Sequence, residues 1–210
     1  ILMKKSIKDK ILGNFQCEPK YTNSGIKRVL SEQIPDNPLI CKTEKDVLIT
    51  AFDIERFKPK VFKSFKDTSV KLEDALLMSS AAPGFFPAHN NEEMWGLDGG
   101  IFANDPADCA YSEALRIYGK DEDIRIISIG TGYNNPGYKG KRVAGYGGIE
   151  WMTKGDIVNL FFKAPQRSVN YKMKTFTEAL GHKYLRINTE ISNSCMDDVS
   201  EDNIKELRNL

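Results

Sequence analysis

Ser79-Ser80-Ala81-Ala82-Pro83-Gly84-Phe85-Phe86-Pro87, separated by nine residues from Leu97-Asp98-Gly99-Gly100-Ile101-Phe102-Ala103-Asn104-Asp105-Pro106, is the stretch on which the reading of this chain turns. Its second half ends where a helix should begin. Asp105 suits an N-cap, Pro106 fits the first helical position, and Ala107, Ala110, Tyr111, Ala114, Leu115 and Tyr118 form an i, i+3, i+4, i+7 stripe that Gly119 stops. Its first half closes another helix, in which Leu72, Ala75, Leu76 and Ser79 share a face and Pro83-Gly84 forces the end. Between the two lies an aspartate followed by two glycines. Such a carboxylate stands on backbone that tolerates positive φ and carries no side chain to crowd a neighbour. The partial positive charge at the start of the helix near Pro106 would help to hold an anionic group. The tripeptide alone is common in turns, and by itself it reads as a structural turn.

Working outward, Val47–Phe52 is an apolar, β-prone run of strand length, and Lys60–Phe65 makes a second strand after Pro59. Residues 1–40 are lysine-rich, with turn signals at Gly13-Asn14, Asn23-Ser24-Gly25 and Pro35-Asp36-Asn37-Pro38, and read as short helical pieces joined by loops. Downstream, Ile124–Ile129 is a strand that runs into Gly130-Thr131-Gly132, and the segment 134–148, with five glycines and one proline, is loop. Trp151, Val158, Phe161 and Phe162 suggest one helix and Val169, Met173, Phe176 and Leu180 a second, with Pro165 dividing them and both stripes facing a core. Tyr184–Ile187 is a strand, and Ser200-Glu201-Asp202 opens a terminal helix bearing Ile204 and Leu207. Strands alternating with helices imply an α/β fold: a layered α/β/α sandwich around a largely parallel central sheet.

Composition narrows the functional classes. The chain of 210 residues is long enough to bury a substantial core, and it reads as one domain or a large part of one. Hydrophobic residues make up 40% and charged residues 28%, and the formal net charge is +1, so no nucleic-acid partner is indicated. Cys17, Cys41, Cys109 and Cys195 form no CxxC pair, which argues for free thiols in a reducing compartment and against a zinc or redox site. His89 and His182 are the two histidines and lie in no metal-binding spacing; His89 reads as a loop residue. Gly130-Thr131-Gly132 follows a strand, but residue 135 is asparagine, so the dinucleotide pattern is not met. No cofactor is expected.

The combination is more specific than the tripeptide. Ser79–Pro87, a gap, then Leu97–Pro106 opening an amphipathic helix resembles the second signature block of the patatin-like phospholipases. The resemblance extends from Val47 to Leu210. It takes in the strand pair around Phe52-Asp53, the strand Ile126–Gly132 and the terminal Asp197-Asp198-Val199-Ser200 with its helix. It implies a serine–aspartate dyad in which Asp98 is the acid/base and Gly99 and Gly100 enable the backbone. Pro83, Phe85, Phe86 and Pro87 would shape a wall near the acyl chain, although a structural turn is an equal reading of each. For Asp98 to act as a base at neutral pH, burial beside Trp95, Leu97 and Phe102 would have to raise its pKa.

No G-x-S-x-G and no glycine-rich oxyanion loop occurs in the chain. The nucleophilic serine is therefore expected outside it, with the chain a carboxyl-terminal portion of the catalytic domain, missing its first strands and inactive alone. Ser79 and Ser80 are poor substitutes because they sit on a helix, not on a strained strand-to-helix turn. The resemblance further implies a phospholipid or other acyl-ester substrate, transient contact with a membrane surface, and a cytoplasmic or exported location. A catalytically inactive remnant serving as a binding or regulatory module, and a thioesterase or protease on a similar sheet, remain as alternatives.

Overall fold

The computed structural model describes residues 18–134, 138–153, 157–193, 195 and 197–210, arranged as two compact units, Ile1–Asn104 and Asp105–Leu210. The expected turn at Gly13-Asn14, Cys17 and the side chain of Val158 lie outside the described residues.

The first unit is built on a tight hairpin. The β-prone run becomes β1 (Leu48–Asp53), which pairs antiparallel with β2 (Lys58–Lys63), so that Asp53 stands opposite Lys58 across the four residues Ile54–Phe57. A connection this short can only reverse the chain. Phe57 takes the left-handed conformation at φ 49°, and its exposed ring meets the edge of Phe52 at 5.3 Å. On its other side β1 pairs antiparallel with β4 (Trp95–Asp98), and β4 with the two-residue β3 (His89–Asn90), in the order β2-β1-β4-β3.

Among its described residues this unit carries the α-helices α1 (Ser24–Gln33), α2 (Leu72–Ser79) and the single-turn α3 (Gly100–Ala103), with a 3-10 turn at Ile40–Lys42. Helix α2 lies on the sheet and closes a core of Ile40, Ile49, Ala51, Phe62, Val70, Ala75, Met78 and Met94. The approach is close enough that a Cβ on Gly96 would lie 2.4 Å from Met78 Cγ, so only glycine fits under that helix.

The second unit contains α4 (Ala107–Tyr118), β5 (Arg125–Ile129), α5 (Gly140–Val143), α6 (Gly148–Thr153), α7 (Ile157–Leu180), β6 (Lys183–Ile187) and α8 (Glu201–Arg208). Strands β5 and β6 are parallel, with Ile127 opposite Leu185 and Ile129 opposite Ile187. Ala107, Tyr111, Ile124, Val169 and Met173 form the core between α4, α7 and one sheet face. The opposite face is aliphatic and open: Ile127, Ile129, Leu185 and Ile187 are exposed by 50% or more.

The α/β class therefore stands, but several expectations need correction. The segment 134–148, read as loop, holds the single-turn α5 and ends where α6 begins. The larger sheet is antiparallel at every pairing, and among the described residues parallel pairing occurs between β5 and β6 and at the isolated bridge Tyr133–Glu190. Pro165 does not divide two helices: α7 runs through it from Ile157 to Leu180, giving up the N–H that would have bonded the Phe161 carbonyl. The aromatic stripe of α7 is only partly core, because Phe161 and Phe176 are exposed while Val169 and Met173 are buried.

A buried aspartate at the end of a sheet strand

Helix α2 ends at Ser79, and the chain turns through Ala82–Phe86, where the Phe85 and Phe86 N–H groups both donate to the Ala82 carbonyl and Gly84 takes φ 83°. This loop is pinned to an earlier segment. Lys20 N–H donates to the Gly84 carbonyl, Tyr21 N–H donates to the Phe85 carbonyl at 2.8 Å, and the Tyr21 and Phe86 rings lie 5.7 Å apart. Pro83, Phe85 and Phe86 thus belong to an anchored turn.

The two halves of the sequence signature meet at β4. Asp98 N–H donates to the Ala81 carbonyl at 3.1 Å and Gly99 N–H to the Ser79 carbonyl at 3.4 Å, while Asp98 pairs with Ala51 across the sheet. Strand alternation places Gly96 and Asp98 on one face of β4 and Trp95 and Leu97 on the other. Trp95 is accordingly exposed and does not bury the carboxylate, contrary to expectation. Main-chain bonds hold this end of β4 against the segment that ends α2.

Gly99 and Gly100 also act differently from the expectation. Gly99 sits at φ −62°, an ordinary right-handed value, so left-handed freedom is not what the position needs. A Cβ there would stand 2.2 Å from Thr50 Oγ1 and 2.3 Å from the Thr50 carbonyl oxygen, so the residue is glycine because β1 passes directly against it. Gly100 N–H opens α3 and donates to Asp98 Oδ1 at 2.6 Å. The nearest helix start is therefore α3, which the sequence reading did not include.

Asp98 is half-buried, and burial pushes its carboxyl above the ordinary carboxylate value, an effect the Gly100 N–H partly offsets. Among the described residues, no cation faces it and Oδ2 has no hydrogen-bond partner. A carboxylate held at one oxygen, free at the other and made more basic by partial burial can take a proton from an adjacent hydroxyl.

Other groups serve structure. Asp53 is buried at the end of β1. Burial raises its pKa, but the Arg56 backbone N–H at 3.0 Å and guanidinium at 2.9 Å outweigh this and hold the carboxyl low. His89 is not a loop residue: it lies in β3 and its Nε2 is 2.7 Å from Asp74 Oδ1 on α2. Ser80 Oγ donates to the Leu76 carbonyl at 2.9 Å, where it closes the helix. Burial pushes the Cys109 thiol up to about 11, which leaves it a poor nucleophile.

The second unit holds a serine and carboxylate pair that the sequence did not flag. Ser128 Oγ donates to Asp105 Oδ1 at 2.9 Å, but Arg186 Nη1 lies 2.9 Å from Oδ2 and Ala107 N–H donates to Oδ1. Both carboxylate oxygens are thus taken up by structural partners, so the group is a buried ion-pair network tying α4 to β5 and β6.

A family model described as patatin-like phospholipase matches residues 3–111, which brings in the amino-terminal residues that the sequence resemblance did not reach. Patatin-like protein 2 of Oryza sativa subsp. indica is 32% identical over 230 aligned positions, covering 90% of this chain and 56% of that protein. A cGAMP-activated phospholipase of Pseudomonas aeruginosa is 27% identical over 191 positions, covering 87% of this chain and 55% of its own. A probable inactive patatin-3-Kuras 1 of Solanum tuberosum is 26% identical over 200 positions, covering 81% and 53%. The chain thus spans about half the length of the relatives it matches.

Proposed function

The chain belongs to the patatin-like phospholipase family, and from that premise we propose that it carries the aspartate half of a serine–aspartate dyad that hydrolyses acyl esters of lipids. The observation that bears the reading is the setting of Asp98: fixed on β4 by backbone bonds to the segment that ends α2, raised in pKa by burial, and bonded at one oxygen by Gly100 N–H. Asp98 takes the proton of a serine hydroxyl as Oγ attacks the ester carbonyl. The proton passes to the departing alkoxide, leaving an acyl-serine. Asp98 then deprotonates water, which releases the fatty acid and restores the serine.

Because the 210 residues contain no G-x-S-x-G, that serine is contributed by polypeptide outside this chain. The same absence favours one other reading, a catalytically inactive member that binds lipid or regulates a partner.

The test is to assay the protein that joins this chain to an upstream G-x-S-x-G segment, with a phospholipid, a lysophospholipid and a short-chain aryl ester, beside its Asp98→Asn variant. The dyad reading expects hydrolysis that falls by about 100-fold or more in the variant. Full turnover by Asp98→Asn would end the assignment. A reading frame that starts at Ile1 with no such segment would favour the inactive module.

A further inference from the structure

Residues 138–151 read Tyr-Lys-Gly-Lys-Arg-Val-Ala-Gly-Tyr-Gly-Gly-Ile-Glu-Trp, and neither the core nor the aspartate site uses them. The structure gathers their aromatic rings around one point. Trp151, on α6, lies edge-on to Tyr138 at 6.2 Å and to Tyr146 at 5.6 Å. Beside this cluster, α5 carries Lys141 and Arg142 next to Lys139, all three exposed, and among the described residues none of them forms an ion pair. Glu150 is the one carboxylate of the segment, and its Oε2 already receives the Gly147 N–H. Ile149 stands 77% exposed at the head of α6, and Tyr138 is exposed as well.

Aromatic residues with a polar edge, an exposed aliphatic residue and a cluster of cations make up the chemistry that the boundary between water and an anionic lipid surface selects. A nucleic-acid strand is a weaker match, because stacking needs open ring faces and these rings are turned against one another.

We propose that this segment is a docking surface for an anionic phospholipid bilayer, with Lys139, Lys141 and Arg142 on the lipid phosphates and Ile149 entering the headgroup layer beside the Trp151 cluster. The proposal rests on the lipid-hydrolase reading for the identity of the partner but requires no catalysis. Each cation near such a surface strengthens binding by about 5-fold, so the three together are worth about 100-fold.

Trp95 and Trp151 are the two tryptophans of the chain, so Trp95→Phe leaves Trp151 as the sole reporter. That variant is titrated with vesicles of ether-linked phosphatidylcholine, alone or mixed equally with ether-linked phosphatidylglycerol, which has no acyl ester to cleave. The expected result is a blue shift of Trp151 emission with the mixed vesicles and about 100-fold weaker binding to phosphatidylcholine alone. Adding Lys139→Gln, Lys141→Gln and Arg142→Gln brings binding to the mixed vesicles down to the phosphatidylcholine level, and Ile149→Asp removes the blue shift.

Salt provides a check on the unmutated cationic cluster, because affinity for the mixed vesicles should fall steeply as ionic strength rises. Equal affinity for both vesicles, or no loss in the triple variant, overturns the proposal. So does competition by soluble glycerol phosphate at equimolar lipid phosphate, which would mark a small-anion site. Vesicle binding by a joined protein that hydrolyses nothing would leave this inference standing and remove the hydrolase reading.

Discussion

Gly99→Ala tests how Asp98 is held. The new methyl carbon would lie 2.3 Å from the Thr50 carbonyl oxygen and 2.5 Å from the Thr50 carbonyl carbon, where ordinary contact begins at 3.4 Å. Relief therefore needs a shift of about 1 Å between β1 and β4. That shift is resisted, because β1 is paired on one side with β2 and on the other with β4, and Thr50 lies beside Ala51, the partner of Asp98. The variant should lose about 3 kcal/mol, the upper part of the range for overpacking a dense interior.

Urea unfolding followed by circular dichroism measures the loss as a lower midpoint at unchanged slope. Thr50→Ala in the Gly99→Ala background removes the Oγ1 clash and leaves the backbone one, so it should recover less than half of the loss. Gly84→Ala is the contrasting control. No atom lies within 4 Å of a Cβ there, and the cost is the roughly 1 kcal/mol of a left-handed residue. If Gly99→Ala were within 0.5 kcal/mol of the parent, or if Thr50→Ala restored it fully, the close approach of β1 would not be why the position is glycine.

Three further outcomes are expected. Burial raises the Asp98 pKa above its ordinary 3.8, so the folded chain binds this proton more tightly than the unfolded one; stability is fully present below 3.8 and declines as pH rises through the raised value. Asp98→Asn keeps an acceptor for Gly100 N–H without a charge, so its melting temperature should exceed the parent's at pH 7 and match it at pH 3; equal values at both pH values would contradict the burial argument. Asp105→Ala strands the Arg186 guanidinium and should cost about 3–5 kcal/mol in urea, much of it recovered by adding Arg186→Met, whereas an unchanged midpoint would show that the network is not coupled to folding. Pro165→Ala restores a main-chain donor within α7 and should raise stability by about 1–3 kcal/mol, with a lowered melting temperature the result that would count against a continuous helix.

Much of this was visible in the residues alone. Helices α2 and α4 follow from apolar spacing, and Gly119 stops α4 at φ 85° as anticipated, whereas α4 starts one residue later than expected, with Pro106 and not Asp105 as its N-cap. The Ser200 cap of α8 accepts the Asn203 N–H, as its sequence suggests. Strand β4 was missed because Trp95-Gly96-Leu97-Asp98 is short and contains a glycine, and the reason for that glycine, the packing of Met78, is a tertiary fact that no local pattern carries. The D-G-G signature drew attention to Asp98 but to the wrong property of its glycine, since a one-dimensional string does not distinguish a need for positive φ from a need for proximity. The inward turn of Ser128 and Arg186 on β5 and β6 was equally hidden. It depends on Asp105, which is 23 residues from Ser128 in sequence.

The open aliphatic face of β5 and β6 has a practical consequence for anyone handling the protein. Environment-sensitive dyes such as ANS brighten on apolar surface, and their signal is commonly taken as a mark of loosened tertiary packing. Here Ile127, Ile129, Leu185 and Ile187 offer such a surface while the core beneath them stays closed around Met173. Dye brightness would therefore report the native chain, and near-ultraviolet dichroism from the buried Tyr111 is the signal that distinguishes an intact fold from a molten one.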